Sequence, residues 1–137
     1  MEDRELMRLA CRARERAYAP YSGFAVGAAL LGESGQVYLG CNVENASFSA
    51  TVCAERSALA AAVSAGERRF TAIAVTGAKQ GERGTFCPPC GICRQALSEF
   101  CGAEFRVLLG TEEKIVAHPL ADLLPLSFSA ADMEKHV

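Results

Sequence analysis

Apolar and polar positions repeat along the chain with two periods, and the changes between them outline its elements. Over residues 3–17, Leu6, Leu9, Ala10, Ala13 and Ala17 recur at helical spacing, with arginines on the other face. This predicts an amphipathic helix capped by Asp3 and stopped soon after by Pro20. Residues 24–31 and 36–40 are apolar runs around Gly32-Glu33-Ser34-Gly35, the pattern of a β-hairpin. Residues 53–65 form an alanine-rich helical stretch, closed by Gly66 as the glycine beyond its end. A buried strand is predicted over 70–76, followed by a polar loop over 77–85. Pro88-Pro89 announce a second helix over 90–100, ending near Gly102. A further strand is predicted over 104–109 and a short edge strand over 114–117. From Pro119 the tail holds short helical pieces around Leu123-Leu124-Pro125. The order α-β-β-α-β-α-β-β predicts an α/β fold, with a single mixed β-sheet sandwiched between helices on both faces. No repeat, low-complexity tract or linker interrupts the chain, so one domain over residues 1–137 is expected.

Composition narrows the function classes. Half of the residues are hydrophobic and 22% are charged, as in an ordinary soluble globule. A formal charge of −2 lacks the basic excess of a dedicated double-stranded nucleic-acid binder. The longest nearly apolar run, residues 24–31, is far short of the ~18–20 residues that span a bilayer. The first seventeen residues carry charge throughout, unlike a secretory leader, so the cytoplasm is the expected compartment. Seven cysteines without an export signal point to metal binding or catalysis before disulfides. Of these, Cys11, Cys41 and Cys101 read as small buried hydrophobes.

The remaining cysteines carry the chemistry. Cys53-Ala54-Glu55 opens one predicted helix, and Pro89-Cys90-Gly91-Ile92-Cys93 opens the other. Three thiolates suit a zinc ion, and three protein ligands instead of four leave a coordination position for water. His118 and His136 have no spacing to the cysteines that would close a structural site. Unpaired N–H groups and the positive end of each helix favour thiolate over thiol. Arg56 either neutralises the sulfurs or is a solvated surface arginine. Glu55 either exchanges protons with metal-bound water or merely compensates the helix dipole from the first turn. Cys87, Cys90 and Cys93 form overlapping CxxC pairs. The two prolines start the helix at about Cys90, so Cys90 and Cys93 share one face of its first turn while Cys87 lies in the extended lead-in.

A ligand-x-Glu step followed by Pro-Cys-x-x-Cys is the signature of zinc-dependent deaminases. Further matching stretches are Ala19-Pro20-Tyr21-Ser22, residues 24–30, residues 40–46, Cys53-Ala54-Glu55-Arg56, residues 89–95 and Leu123-Leu124-Pro125. Through them the chain resembles the small, all-cysteine-liganded cytidine deaminases of pyrimidine salvage, over essentially its whole length. The resemblance implies a three-layer α/β/α fold and a cytoplasmic homotetramer with sites shared between subunits. It implies conversion of cytidine or deoxycytidine to uridine or deoxyuridine with release of ammonia. One zinc per chain would sit on Cys53, Cys90 and Cys93, supplying the hydroxide that attacks C4, and Glu55 would shuttle the protons. Asn42 and Glu44, two apart on one face of a strand, would hold the ribose hydroxyls with Val43 between them. The Ala54 backbone would accept from the exocyclic amine. Phe24 would stack on the pyrimidine, although by residue type alone it reads as core. Ala46, Phe48 and Phe128 would reach a neighbouring subunit's site. Phe48 is a departure, since similar deaminases usually carry tyrosine there.

Four other readings have their own marks. A deaminase of blasticidin-like nucleosides would change the sugar-contacting segment Asn42-Val43-Glu44-Asn45, and a polynucleotide deaminase would want basic residues around its pocket. A non-catalytic zinc ribbon needs no Glu55, and a redox protein would use Cys87-Pro88-Pro89-Cys90.

Overall fold

The computed structural model describes residues 1–134, so His136 lies outside the described residues. Helix α1 (Asp3–Arg14) precedes a hairpin of β1 (Phe24–Gly32) and β2 (Val37–Cys41). A single 3₁₀ turn (Phe48–Ala50) leads to α2 (Ala54–Ser64), β3 (Phe70–Lys79), α3 (Gly91–Ser98), β4 (Arg106–Gly110) and β5 (Ile115–Pro119). Two short helices, α4 (Leu120–Leu123) and α5 (Ala130–Met133), follow. The sheet runs β2-β1-β3-β4-β5. The β3–β4 pair is parallel and the other neighbours are antiparallel.

Strand alternation sends successive side chains to opposite faces, and this is what recruits helices to both. Ala29, Ala72, Ala74 and Leu108 pack under Leu6, Met7 and Ala10 of α1. Ala28, Leu30, Ile73, Val75, Val107 and Leu109 pack under Ala58, Leu59 and Ala62 of α2 and Leu97 of α3. The mixed sheet between helix layers is the α/β architecture that the pattern predicts.

Two glycines set how deeply the helices seat. A Cβ at Gly27 would lie 2.1 Å from the Ala10 carbonyl oxygen and 2.5 Å from the Arg14 nitrogen. At Gly40 it would lie 2.4 Å from both the Ala54 oxygen and the Ala58 nitrogen. Helix backbone therefore rests directly on strand backbone at these points, α1 on β1 and α2 on β2.

Several local expectations give way to longer-range partners. Asp3 does not cap α1: the cap position is Glu2, without a side-chain cap bond. The Asp3 carboxylate instead accepts bonds of 2.9 and 2.6 Å from Arg106, which holds it below the usual carboxylate range. Strand β3 continues three residues past its predicted end, because Gly77, Ala78 and Lys79 pair with Val26, Ala25 and Phe24. Helix α3 stops at Ser98, short of Phe100. Its last turn closes through bonds from the Phe100 and Cys101 N–H groups to the Leu97 carbonyl, at 3.1 and 2.9 Å, with no left-handed glycine. Strand β2 ends at Cys41, so Asn42 and Glu44 do not lie in a sheet strand. They flank Val43 in an extended segment that bridges to Tyr18 and Val52.

Candidate active site

The N-termini of α2 and α3 meet on the same side of the sheet, and each is capped by a cysteine. Cys53 (φ −72°, ψ 156°) and Cys90 (φ −67°, ψ 168°) are extended, and neither side chain bonds its own helix end. Their sulfurs turn toward each other at 3.9 Å, and Cys90 lies 3.6 Å from Cys93, three residues into the first turn. All three sulfurs fall within 4.8 Å of one another. A tetrahedral zinc with bonds of about 2.3 Å requires sulfur–sulfur edges of about 3.8 Å, so these spacings fit the ion.

Charge in the cluster favours thiolate at Cys53. A hydrogen bond from Cys93 pulls the Cys53 thiol down to about 5, and Arg56 and Cys90 act in the same direction. The Arg56 Nη2 donates to the Cys53 sulfur at 3.3 Å. Cys93 is pushed up because it is the donor in that bond and is buried. Three thiols this close would bind a divalent cation with loss of their protons. Glu55, two residues beyond Cys53, is only 4% exposed, and burial pushes its carboxyl up to about 6.

The other four cysteines differ in kind. None of the seven is paired in a disulfide. Of the three cysteines read as buried hydrophobes only Cys101 is buried, and burial pushes it up to about 12; Cys11 and Cys41 are half-buried, with their thiols raised by partial burial. Cys87 stands outside the three-sulfur cluster: its sulfur sits over Gly77, 2.9 Å from where a Cβ would be, and burial pushes it up to about 11.

The polar residues expected at the sugar are already engaged with backbone. The Asn42 amide donates to the Phe24 carbonyl at 2.8 Å, and its oxygen accepts from the Val26 N–H at 2.9 Å. That leaves one N–H and one lone pair on the amide for a ligand. Glu44 accepts from the N–H groups of Tyr21 and Ser22, at 2.9 and 3.0 Å, and from the Ser22 hydroxyl. These bonds, Ser22 first, hold its carboxyl below its ordinary value, so it remains a charged acceptor. Phe24 stands at the first position of β1 and is 39% exposed, so it is not the core residue that its type suggests. At Ala54 the carbonyl cannot accept from a ligand amine. As the first residue of α2 it directs its C=O down the helix, over Gly40, and only its N–H faces the helix start.

The outer side is apolar and open. Val43, Phe48 and Phe128 are 45, 75 and 60% exposed, and Ala46 is exposed beside them in the chain. Phe48 meets Tyr21 edge-on, with ring centroids 6.1 Å apart, above a cleft of about 380 Å³ that Glu44 and Thr51 also line. Three polar side chains that hold this arrangement together escaped the sequence reading of roles. Arg94 donates to the carbonyls of Pro89 and Leu123, and Gln95 donates to that of Phe128, tying the tail to α3. Arg14 turns away from solvent onto β1 and β3. The first two lie in the quoted motif over 89–95, which was their only signal, and Arg14 had none.

Comparison with known proteins adds a consistent set of likenesses. Residues 1–109 match the family described as "Cytidine and deoxycytidylate deaminase zinc-binding region". A cytidine deaminase of Sporosarcina psychrophila is 46% identical over 134 residues, covering 97% of this chain and 96% of its own. The crystal structure of cytidine deaminase from Burkholderia pseudomallei superposes with a TM-score of 0.85 at 44% identity, over 93% of this chain and 100% of that one. The cytidine deaminase structure from Mycobacterium tuberculosis gives 0.78 at 41% identity, over 93% and 98%.

Proposed function

Since the chain belongs to the cytidine and deoxycytidylate deaminase family, we propose that it converts cytidine and deoxycytidine to uridine and deoxyuridine, releasing ammonia, in cytoplasmic pyrimidine salvage. The observation that carries this reading is the meeting of three thiols with a buried carboxyl at two helix starts. Cys53, Cys90 and Cys93 would hold one zinc per chain. When bound, such an ion supplies a Lewis acid able to make hydroxide from water near neutral pH.

The protein's own groups do the rest. Glu55, poised near neutrality by burial, takes a proton from the attacking water and delivers protons to N3 and to the departing amino group. Arg56 offsets the negative charge of the sulfurs. The Ala54 N–H, at the positive end of α2, faces the pyrimidine as a donor. Asn42 and Glu44 offer their remaining hydrogen-bonding positions to the ribose hydroxyls, beside Val43. Phe24 gives the base an aromatic face.

Residues 1–137 act as one domain, and four copies assemble so that Ala46, Phe48 and Phe128 complete a neighbour's site. The exposure of these aromatic rings supports that assembly. Among the described residues, no helix is long and apolar enough to cross a membrane.

The test is loss of cytidine and deoxycytidine absorbance with the protein of known zinc content, alongside ammonia release. Ammonia from both nucleosides supports the proposal. A zinc-loaded protein that releases none from either is a binding module and overturns it.

A further inference from the structure

Arg14 is the last residue of α1, where periodicity places it among solvated arginines. Its side chain goes elsewhere. Because α1 rests on Gly27 backbone to backbone, the Arg14 stem starts at the sheet surface and runs toward the first residues of β1. There the Nε donates to the Ala25 carbonyl at 2.7 Å. The Nη2 donates to the carbonyls of Ala78 and Lys79, at 2.9 and 2.8 Å, and the Nη1 to that of Glu82 at 2.8 Å. Four of the five guanidinium N–H groups are therefore used on main-chain carbonyls.

The acceptors share one location. Ala25 pairs with Ala78 and Phe24 with Lys79, so three of the four carbonyls belong to the two outermost rungs of the β1–β3 ladder. A strand end at this position would ordinarily fray into solvent. Here the planar fork ties both strands and the following turn to a helix, and a bond from the Gln80 N–H to the Gly23 carbonyl at 2.7 Å adds to it. The Phe24 carbonyl is taken by Asn42 and the next one, of Ala25, by Arg14. The Gln80 bond to the Gly23 carbonyl fixes the peptide plane before Phe24 and the Asn42 bond the plane after it, and these set the direction in which the ring leaves the strand, while Arg14 anchors the two rungs that carry them.

We infer that Arg14 is a positioning residue for substrate binding: by clamping the outer rungs of β1 and β3 it holds the Phe24 ring in the orientation that receives the base. This rests on the reading of Phe24 as the base platform. A lysine has a compact ammonium in place of the fork and cannot span carbonyls on two strands and a turn.

The experiment is a double-mutant cycle of Arg14→Lys and Phe24→Ala on the zinc-loaded enzyme, reading KM and kcat for cytidine with zinc content. Phe24→Ala is expected to raise KM about 10- to 100-fold, the range of lost base–aromatic stacking. Arg14→Lys is expected to raise KM about 3- to 10-fold, a fraction of that stacking, with kcat and zinc content at parental values. In the Phe24→Ala background the same Arg14→Lys change should leave KM where it is, because the ring it aims is gone. Equal effects in both backgrounds, or a loss carried by kcat or zinc, would overturn the proposal and leave Arg14 a structural residue. A Phe24→Ala enzyme with parental KM would instead remove the platform reading, and the proposal with it. Should Arg14→Lys not fold, Arg14→Gln, which keeps an amide donor, takes its place in the cycle under the same criteria.

Discussion

At the cysteine end of the site Glu55 is 4% exposed, Cys93 is fully buried, Cys53 is half-buried and Cys90 is exposed, whereas at the nucleoside end Phe24, Val43, Phe48 and Phe128 are all 39 to 75% exposed. The first set lies within a turn of two helix starts, and each group finds its partners inside one chain. The second set is spread over a strand end, an extended segment, a 3₁₀ turn and the tail. Phe48 finds Tyr21 within the chain, yet much of the surface of these four side chains stays exposed. On the proposed function the difference divides two kinds of work, chemistry at the closed end and recognition and assembly at the open one. Mutations should separate along the same line.

The largest effect belongs to Glu55→Gln. It keeps size and burial but removes the proton carrier, so turnover should fall by about 10²–10⁴ with zinc content and assembly unchanged. Turnover within about tenfold of the parent would exclude Glu55 as the general acid–base group.

Gly40→Ala comes next. The new methyl would lie 2.4 Å from the Ala54 oxygen, forcing α2, and with it Cys53 and Glu55, away from the sheet. Overpacking of this kind costs about 1–3 kcal/mol. A lowered Tm together with weaker zinc retention is expected in thermal and metal-release measurements. An unchanged Tm would show that α2 does not rest on that strand.

At the open end, Phe48→Ala should shift the proposed tetramer toward smaller species in light scattering while each chain keeps its zinc. Loss of zinc would dissolve the division between the two ends. Phe48→Tyr should do least, changing KM or subunit stability by no more than about threefold, since one hydrogen bond at an exposed site is worth on the order of 0.5–1 kcal/mol. A gain of orders of magnitude would mean that this chain is tuned for another substrate.

The closed end was legible in the sequence because its determinants are local. A cysteine before an alanine-rich helix, and a cysteine after two prolines, fix where each helix starts, and the first turn then fixes Cys93 and Glu55. What could not be read there depends on partners far along the chain. Asp3 looks like a cap until Arg106, 103 positions away, takes its carboxylate. Residues 77–79 look like loop until the outer end of β1 pairs with them. Arg14 belongs to the polar face of its helix by spacing, yet the close approach at Gly27 turns it onto the sheet. The direction of the Ala54 carbonyl is a property of the helix, and knowing that Ala54 begins one is enough to remove that carbonyl as an acceptor at the helix start.

The central claim is that Cys53, Cys90 and Cys93, not Cys87, hold the metal on which deamination depends. Zinc per chain and cytidine turnover, measured side by side for Cys87→Ser and Cys93→Ser, test it most directly. Cys87→Ser should keep one zinc and near-parental activity, and Cys93→Ser should lose most of both. A Cys87→Ser protein that sheds its zinc while Cys93→Ser retains it would contradict the account.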